Sequence, residues 1–157
     1  MTIYFNSKSE EPWNKLSNFY MRTIIYKGLS FASAEHAYHW EKTTIPDEQK
    51  AIRAASTAYL ALQAGRAAKL RPEWNENFKL AVTFNVLRCK FQQHTDLKQL
   101  LLSTGKDELI HKAPWDEFWG DGKHGTGRNL LGKLMMDLRE FYREEIKTRT
   151  VEKSNGR

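Results

Sequence analysis

The spacing of apolar residues changes character along the chain. In the first third, short apolar runs alternate with turn signals. Ile3-Tyr4-Phe5 and Thr23-Ile24-Ile25-Tyr26 read as strands, and Lys27-Gly28 turns the chain into Leu29-Ser30-Phe31. A small antiparallel sheet is predicted there. Beyond it the apolar spacing becomes helical. Ser33 is the N-cap of a helix predicted over 34–42, Pro46-Asp47 opens a second, and Ser56 or Thr57 caps a third through Tyr59, Leu60, Leu62 and Ala67. Arg71-Pro72-Glu73-Trp74 is expected to start the longest helix, with proline suited to its first turn. Two stripes run along that helix, Leu80, Phe84, Leu87, Phe91 and Val82, Val86, Cys89, which puts it at the centre of the fold. Thr95 caps a helix over 96–103 that stops at Gly105. Asn129 is placed to cap a last helix whose Leu131, Leu134, Met135, Leu138 and Phe141 or Tyr142 face inward. The predicted class is α+β, mainly α-helical: one compact domain over 1–146 with a small N-terminal antiparallel sheet. A polar tail over 147–157 is expected to fray.

Composition narrows the setting. A chain of 157 residues, 40% hydrophobic and 12% aromatic, suits one globular domain. No apolar run approaches the roughly 20 residues of a membrane helix. The opening residues lack the basic and apolar regions of a secretory signal, so a cytoplasmic protein with no membrane or obligate protein partner is the expectation. The single cysteine, Cys89, excludes an internal disulfide and a cysteine-based zinc site, and its place in an apolar stripe marks a core thiol. His36 and His39 have no evident third ligand, so neither metal nor cofactor is expected. The net charge of +6 favours a polyanionic partner, but the basic residues are scattered and define no nucleic-acid groove.

Four of the nine glycines, Gly120, Gly122, Gly125 and Gly127, fall in one stretch between an acidic-aromatic run and the last helix. Glycine lets a ligand approach the backbone, and a helix N-terminus directs N–H groups at an anion, so the stretch reads as a phosphate site with Arg128 beside it. Arg128 could equally pair with a surface acid. The literal Gly120-x-Gly122-x-x-Gly125 match is not a dinucleotide fingerprint, because no hydrophobic strand leads into it.

Two carboxylates stand out. Glu35 lies in the first turn of its helix, where the dipole stabilises negative charge, and shares a face with His39 and Lys42. That face either addresses a sugar-phosphate or is a solvated polar stripe. Asp116 precedes Trp119 by three residues and either sits against indole as an acid or caps a turn. Two carboxylates in different environments are what cleavage of a glycosidic bond requires.

The ordered set Phe5-x-Ser7, Leu16-Ser17-Asn18-Phe19, Phe31-x-Ser33-x-Glu35-His36 with Lys42, and Leu70-Arg71-Pro72-x-Trp74 resembles the NADAR / YbiA-like family. The resemblance continues through Lys90-Phe91-x-Gln93-His94, Leu100-Leu101-Leu102-x-Thr104 and Asp116-x-x-Trp119-Gly120-x-Gly122. It closes with Gly125-x-Gly127-x-Asn129-x-Leu131-Gly132-x-Leu134-Met135 and Arg139. It implies a compact, mainly helical α+β fold and an N-glycosidase. The substrates it implies are phosphorylated ribosylamino-pyrimidine intermediates of riboflavin synthesis, or guanine bases bearing ADP-ribose, free or within nucleic acid. The catalytic glutamate matches Glu35, an active-site tryptophan matches Trp74, and an aspartate matches Asp116. The lysine at Lys42 either binds phosphate or captures the ribose carbon as a Schiff base. Asn18, Phe19, His36, Trp119, Arg128, Asn129 and the four glycines are the expected substrate contacts. The chain departs from the family pattern at Ala34, at His39, where glutamine is common, and at His111, where glutamate is common. Two alternatives from other classes are a nucleotide or ADP-ribose sensor without turnover and a basic nucleic-acid binder.

Overall fold

The computed structural model describes residues 1–156. Its elements follow in the order β1 (Thr2–Phe5), a single 3-10 turn (Trp13–Leu16), β2 (Met21–Tyr26), β3 (Leu29–Ser33), α1 (Ala34–Trp40), α2 (Pro46–Ala54), α3 (Ala58–Ala67), α4 (Glu76–Gln93), α5 (Thr95–Ser103), β4 (Glu108–His111) and α6 (Leu130–Asn155).

α4 holds the molecule together because its two stripes face two separate cores. Leu87 and Phe91 join Ile3, Phe5, Leu109, Leu131, Met135, Leu138 and Tyr142. Val82 and Val86 join Ile24, Phe31, Ala34 and Ala37, with Cys89 packed alongside. The first core therefore clamps α4 to α6 and β1. The second clamps it to the hairpin and to α1, the helix that carries Glu35. α4 starts later than expected: Asn75 caps it through the Phe78 amide at 2.9 Å, and Pro72 lies in the turn before it.

The sheet is split. β2 and β3 form the expected antiparallel hairpin, but β1 pairs in parallel with β4, Ile3 opposite Leu109 and Phe5 opposite His111. β4 has four residues, and its partner lies at the other end of the sequence, so local periodicity does not reveal it. α6 packs over this pair closely enough that Gly132 is required. A Cβ there would overlap the Leu109 carbonyl oxygen and fall 2.6 Å from the Asn129 amide. Asn129 does not cap α6 with its side chain; it accepts from His111 N–H and donates to Leu109 C=O, both at 2.9 Å.

At 26 residues α6, not α4, is the longest helix, and it continues through Asn155 where fraying was expected. The polar tail lacks glycine and proline from Lys133 to Asn155. Ion pairs at helical spacing, Lys147–Glu144 at 3.1 Å and Arg149–Glu145 at 3.5 Å, support the turn. Of the alternatives at the helix's inner face, Tyr142 is buried and Phe141 exposed. No helix among the described residues is long and apolar enough to cross a membrane.

Gly132→Ala is expected to force α6 away from β4 at a cost of roughly 1–3 kcal/mol, as overpacking does. A thermal melt checks this: an unchanged midpoint contradicts the close approach.

Candidate active site

A cavity of about 260 Å³ opens between α1, α3, α4 and the loop before α6. Glu35 and Asp116, distant in sequence, both line it, with Asn18, Phe19, Tyr38, Leu62, Arg66, Thr83, His111, Trp115, Trp119 and Leu131 among the other walls.

Glu35 reaches the cavity because Ser33 ends β3 and caps α1, accepting from the His36 amide. The chain thus turns from strand to helix just before the carboxylate. Glu35 N–H is itself tied to the Asn18 carbonyl at 3.0 Å, which fixes the two cavity walls to one another. One turn on, His39 Nε2 lies 2.6 Å from Glu35 Oε1. Burial pushes the His39 imidazole below its usual range, against the pull of Glu35. A neutral imidazole carries one proton, and the carboxylate places it on Nε2, which donates. Nδ1 is buried with no partner among the described residues. Gly65 of α3 makes room for the ring: a Cβ there would overlap Nδ1 and fall 2.6 Å from Cγ.

Asp116 both caps a turn and faces the cavity. Its Oδ1 accepts from the Phe118 amide at 3.0 Å and the Trp119 amide at 2.8 Å. Those bonds fix the carboxyl and leave Oδ2 as the oxygen without a partner assigned within the turn. Tyr38, overlooked in the sequence, also lines the cavity. Burial, then Glu35, push its phenol upward, so it stays a hydroxyl. Its ring meets Trp74 edge-on at 5.5 Å and Trp119 at 5.9 Å.

Several expected contacts fall elsewhere. Trp74 does not line the cavity; it braces Tyr38 from behind. His36 is buried with both ring nitrogens engaged, Nδ1 with Ser33 Oγ at 2.7 Å and Nε2 donating to the Ala55 carbonyl at 2.8 Å. Lys42 stands beside the lining, its ammonium 5.4 Å from the centre of the Tyr38 ring. Burial pushes that amine down to about 8, with Glu35 opposing and Arg66 and Lys79 adding to the fall.

The glycine loop is not an open anion cradle. The amides of Gly127, Arg128, Asn129, Leu130 and Leu131 donate to the carbonyls of Asp121, Glu117, Gly120, Phe118 and Trp119 at 2.7–3.2 Å. The N–H groups leading into α6 are thus spent inside the loop. Gly127 serves close packing, since a Cβ would fall 2.5 Å from the Gly120 carbonyl oxygen. None of Gly120, Gly122, Gly125, Gly127, Arg128 or Asn129 lines the cavity. Arg128 pairs at 2.7 Å with Glu76 on the surface. The cations by the cavity are instead Arg66, which lines it and carried no signal in the sequence, and Lys42 beside the lining. Among the described residues no group of His, Cys, Asp and Glu is arranged to hold a metal.

Fold and site together define a small α+β domain in which two carboxylates, Glu35 and Asp116, line one aromatic cavity, as glycosidic-bond chemistry requires. The NADAR domain family model matches residues 4–143, and the chain belongs to that family. It is 37% identical over 140 residues to N-glycosidase YbiA of Escherichia coli (strain K12), covering 88% of this chain and 86% of that protein. The NMR structure of Escherichia coli YbiA superposes with a TM-score of 0.83 over 92% of this chain and 86% of that one, at 36% identity. A riboflavin biosynthesis protein of Vibrio vulnificus is 35% identical over 147 residues, covering 90% of this chain and 39% of that protein.

The buried imidazoles predict a pH dependence of stability. His39 and His111 are both held below the ordinary histidine value of 6.5, chiefly by burial. The unfolded chain therefore takes up protons first as pH falls, and their contribution is full above 6.5 and lost from there down to each lowered folded value. Denaturant midpoints measured across this window should fall with pH, and His39→Gln should flatten the fall. An identical slope in that variant contradicts a buried neutral His39.

Proposed function

We propose that this chain hydrolyses the ribose–nitrogen bond of a phosphorylated ribosyl substrate, either a ribosylamino-pyrimidine phosphate or an ADP-ribosylated guanine. The chain is a hydrolase acting on N-glycosyl compounds, as its curated relatives named N-glycosidases support. The observation that carries the reading is the convergence of Glu35 and Asp116 on one aromatic-walled cavity.

Glu35 acts as the base or charge stabiliser at the anomeric carbon. The Nε2–H of His39 holds Oε1, so the other oxygen is free to accept a proton from water or to face an oxocarbenium-like centre. Asp116, fixed through Oδ1, assists departure of the ring or exocyclic nitrogen through Oδ2. Trp119, Trp115 and Phe19 supply flat apolar surface for the base. The phosphate faces Arg66 and Lys42, in place of the glycine loop.

A second route has specific support. An amine with its pKa near 8 is partly unprotonated close to neutrality, which suits Lys42 to attack the anomeric carbon as its bond to the base nitrogen breaks and the base leaves with a proton. Loss of the amine proton with opening of the ring C–O bond then gives a Schiff base that water hydrolyses. Sodium cyanoborohydride added during turnover separates the routes: a sugar-phosphate adduct on Lys42 supports the amine, and an unmodified chain supports direct attack by water.

Glu35→Gln should lower kcat on the order of 10²–10⁴-fold while leaving substrate binding measurable. Incubation with both candidate substrates, followed by mass spectrometry, reads the products. An unchanged rate removes Glu35 from the reaction, and tight binding of intact ligand by the unaltered chain marks a sensor. Salt-dependent binding to plain oligonucleotides without cleavage marks a nucleic-acid binder.

The placement of the phosphate makes a separate prediction. Arg66→Ala should raise KM roughly tenfold with a weaker salt dependence, as loss of a charge-assisted contact does, and Arg128→Ala should leave KM unchanged. The reverse pattern would return the phosphate to the glycine loop.

A further inference from the structure

Three residues that line the cavity each carry a buried polar atom without a hydrogen-bond partner: Asn18 Oδ1, Thr83 Oγ1 and His111 Nδ1. Buried polar groups are almost always paired, so three on one wall call for an external partner. They come from three independent elements: the segment after the 3-10 turn, the middle of α4 and the end of β4.

Thr83 is the most telling. A threonine inside a helix ordinarily returns its hydroxyl to the carbonyl four residues back. Thr148 and Thr150 of α6 do so, to Glu144 at 3.0 Å and Ile146 at 2.9 Å. The Thr83 side chain is buried on α4 yet forgoes that bond. Its hydroxyl is left for whatever fills the cavity.

His111 is held rigidly. Its backbone is paired in β4 and bonded to Asn129, and its ring stacks on Phe5 with centroids 5.4 Å apart and planes 24° apart. Burial keeps the imidazole neutral near pH 7. A neutral ring presents one donor and one acceptor, which selects by hydrogen-bond pattern and not by charge.

Depth decides which part of a substrate meets these atoms. Arg66 is exposed, whereas the three atoms are buried. In a phosphate–ribose–base substrate, phosphate at the exposed cation leaves the base for the buried polar groups.

We infer that Asn18, Thr83 and His111 form the specificity face of the cavity, reading the hydrogen-bonding edge of a planar nitrogen heterocycle that presents an N–H donor to Asn18 Oδ1. The inference rests on the glycosidase reading for the substrate's layout. Thr83 and His111 then determine which base is accepted, and the remaining walls supply stacking.

The test compares a ligand that has the base with one that lacks it. Calorimetry would measure Kd for a ribosylamino-pyrimidine phosphate and for ribose 5-phosphate, using the Glu35→Gln protein so that neither is consumed. Adding Thr83→Val, which keeps the side-chain shape, should weaken the first roughly tenfold and leave the second within about twofold, the effect of losing one buried hydrogen bond. His111→Phe, which preserves the stack on Phe5, should act in the same direction. Thermal midpoints confirm that both variants fold. Equal weakening of both ligands, no weakening of either, or no binding of the heterocyclic ligand before Thr83 or His111 is altered overturns the inference. Turnover of the same compound by the unaltered chain reports separately on the glycosidase reading, since the Kd comparison needs no cleavage.

Discussion

A buried neutral imidazole donating to a carboxylate is the contact on which the site depends. His39 can make it only because α1 places residues 35 and 39 one turn apart and α3 presents a glycine, Gly65, against the ring. The imidazole is drawn below its usual range by burial, so it orients Glu35 as a hydrogen-bond donor and adds no fixed positive charge beside it. A charged partner in that place would pair with Glu35 and oppose the basic role proposed for it. The burial that stabilises neutral His39 is supplied by the packing of α1 against α3, so the chemistry at Glu35 is tied to the helix layer behind it.

The opposite wall rests on a different constraint. β1 and β4 lie about a hundred residues apart, and their parallel pairing fixes His111 at the cavity while Asn129 and Gly132 lock α6 over it. The loop between them folds on its own carbonyls, which brings Asp116 and Trp119 to the mouth. α4 joins the halves, since one face packs on each core and Thr83 stands between them. Neither half alone forms the cavity.

What was legible in the sequence follows the range of the interactions concerned. The Ser33 cap, the hairpin at Lys27-Gly28 and the two stripes of α4 are local patterns, and they folded as read. Glu35 and Asp116 were selectable because their chemistry is distinctive, and the structure brings them to one cavity. β4 was not legible, because four residues with a partner a hundred positions away leave no periodic trace. The glycine run misled for a related reason. Glycine marks close approach, and sequence does not say whether a ligand or the chain's own backbone approaches; here Gly127 meets the Gly120 carbonyl. Arg66, Thr83 and Tyr38 gave no local signal, since an arginine, a threonine and a tyrosine on regular elements look like ordinary surface or core until the elements are packed; His111 stood out only against the family pattern.

In the proposed reaction one cavity holds a ribosyl substrate with its anomeric carbon between the Glu35 and Asp116 carboxyl groups. A crystal structure of the Glu35→Gln protein with a ribosylamino-pyrimidine phosphate tests that placement. The expected complex has the scissile carbon beside residue 35, the departing nitrogen within hydrogen-bond reach of Asp116 Oδ2, and the phosphate at Arg66. A ligand seated against the glycine loop, with residue 35 and Asp116 both out of reach of the scissile bond, would contradict it.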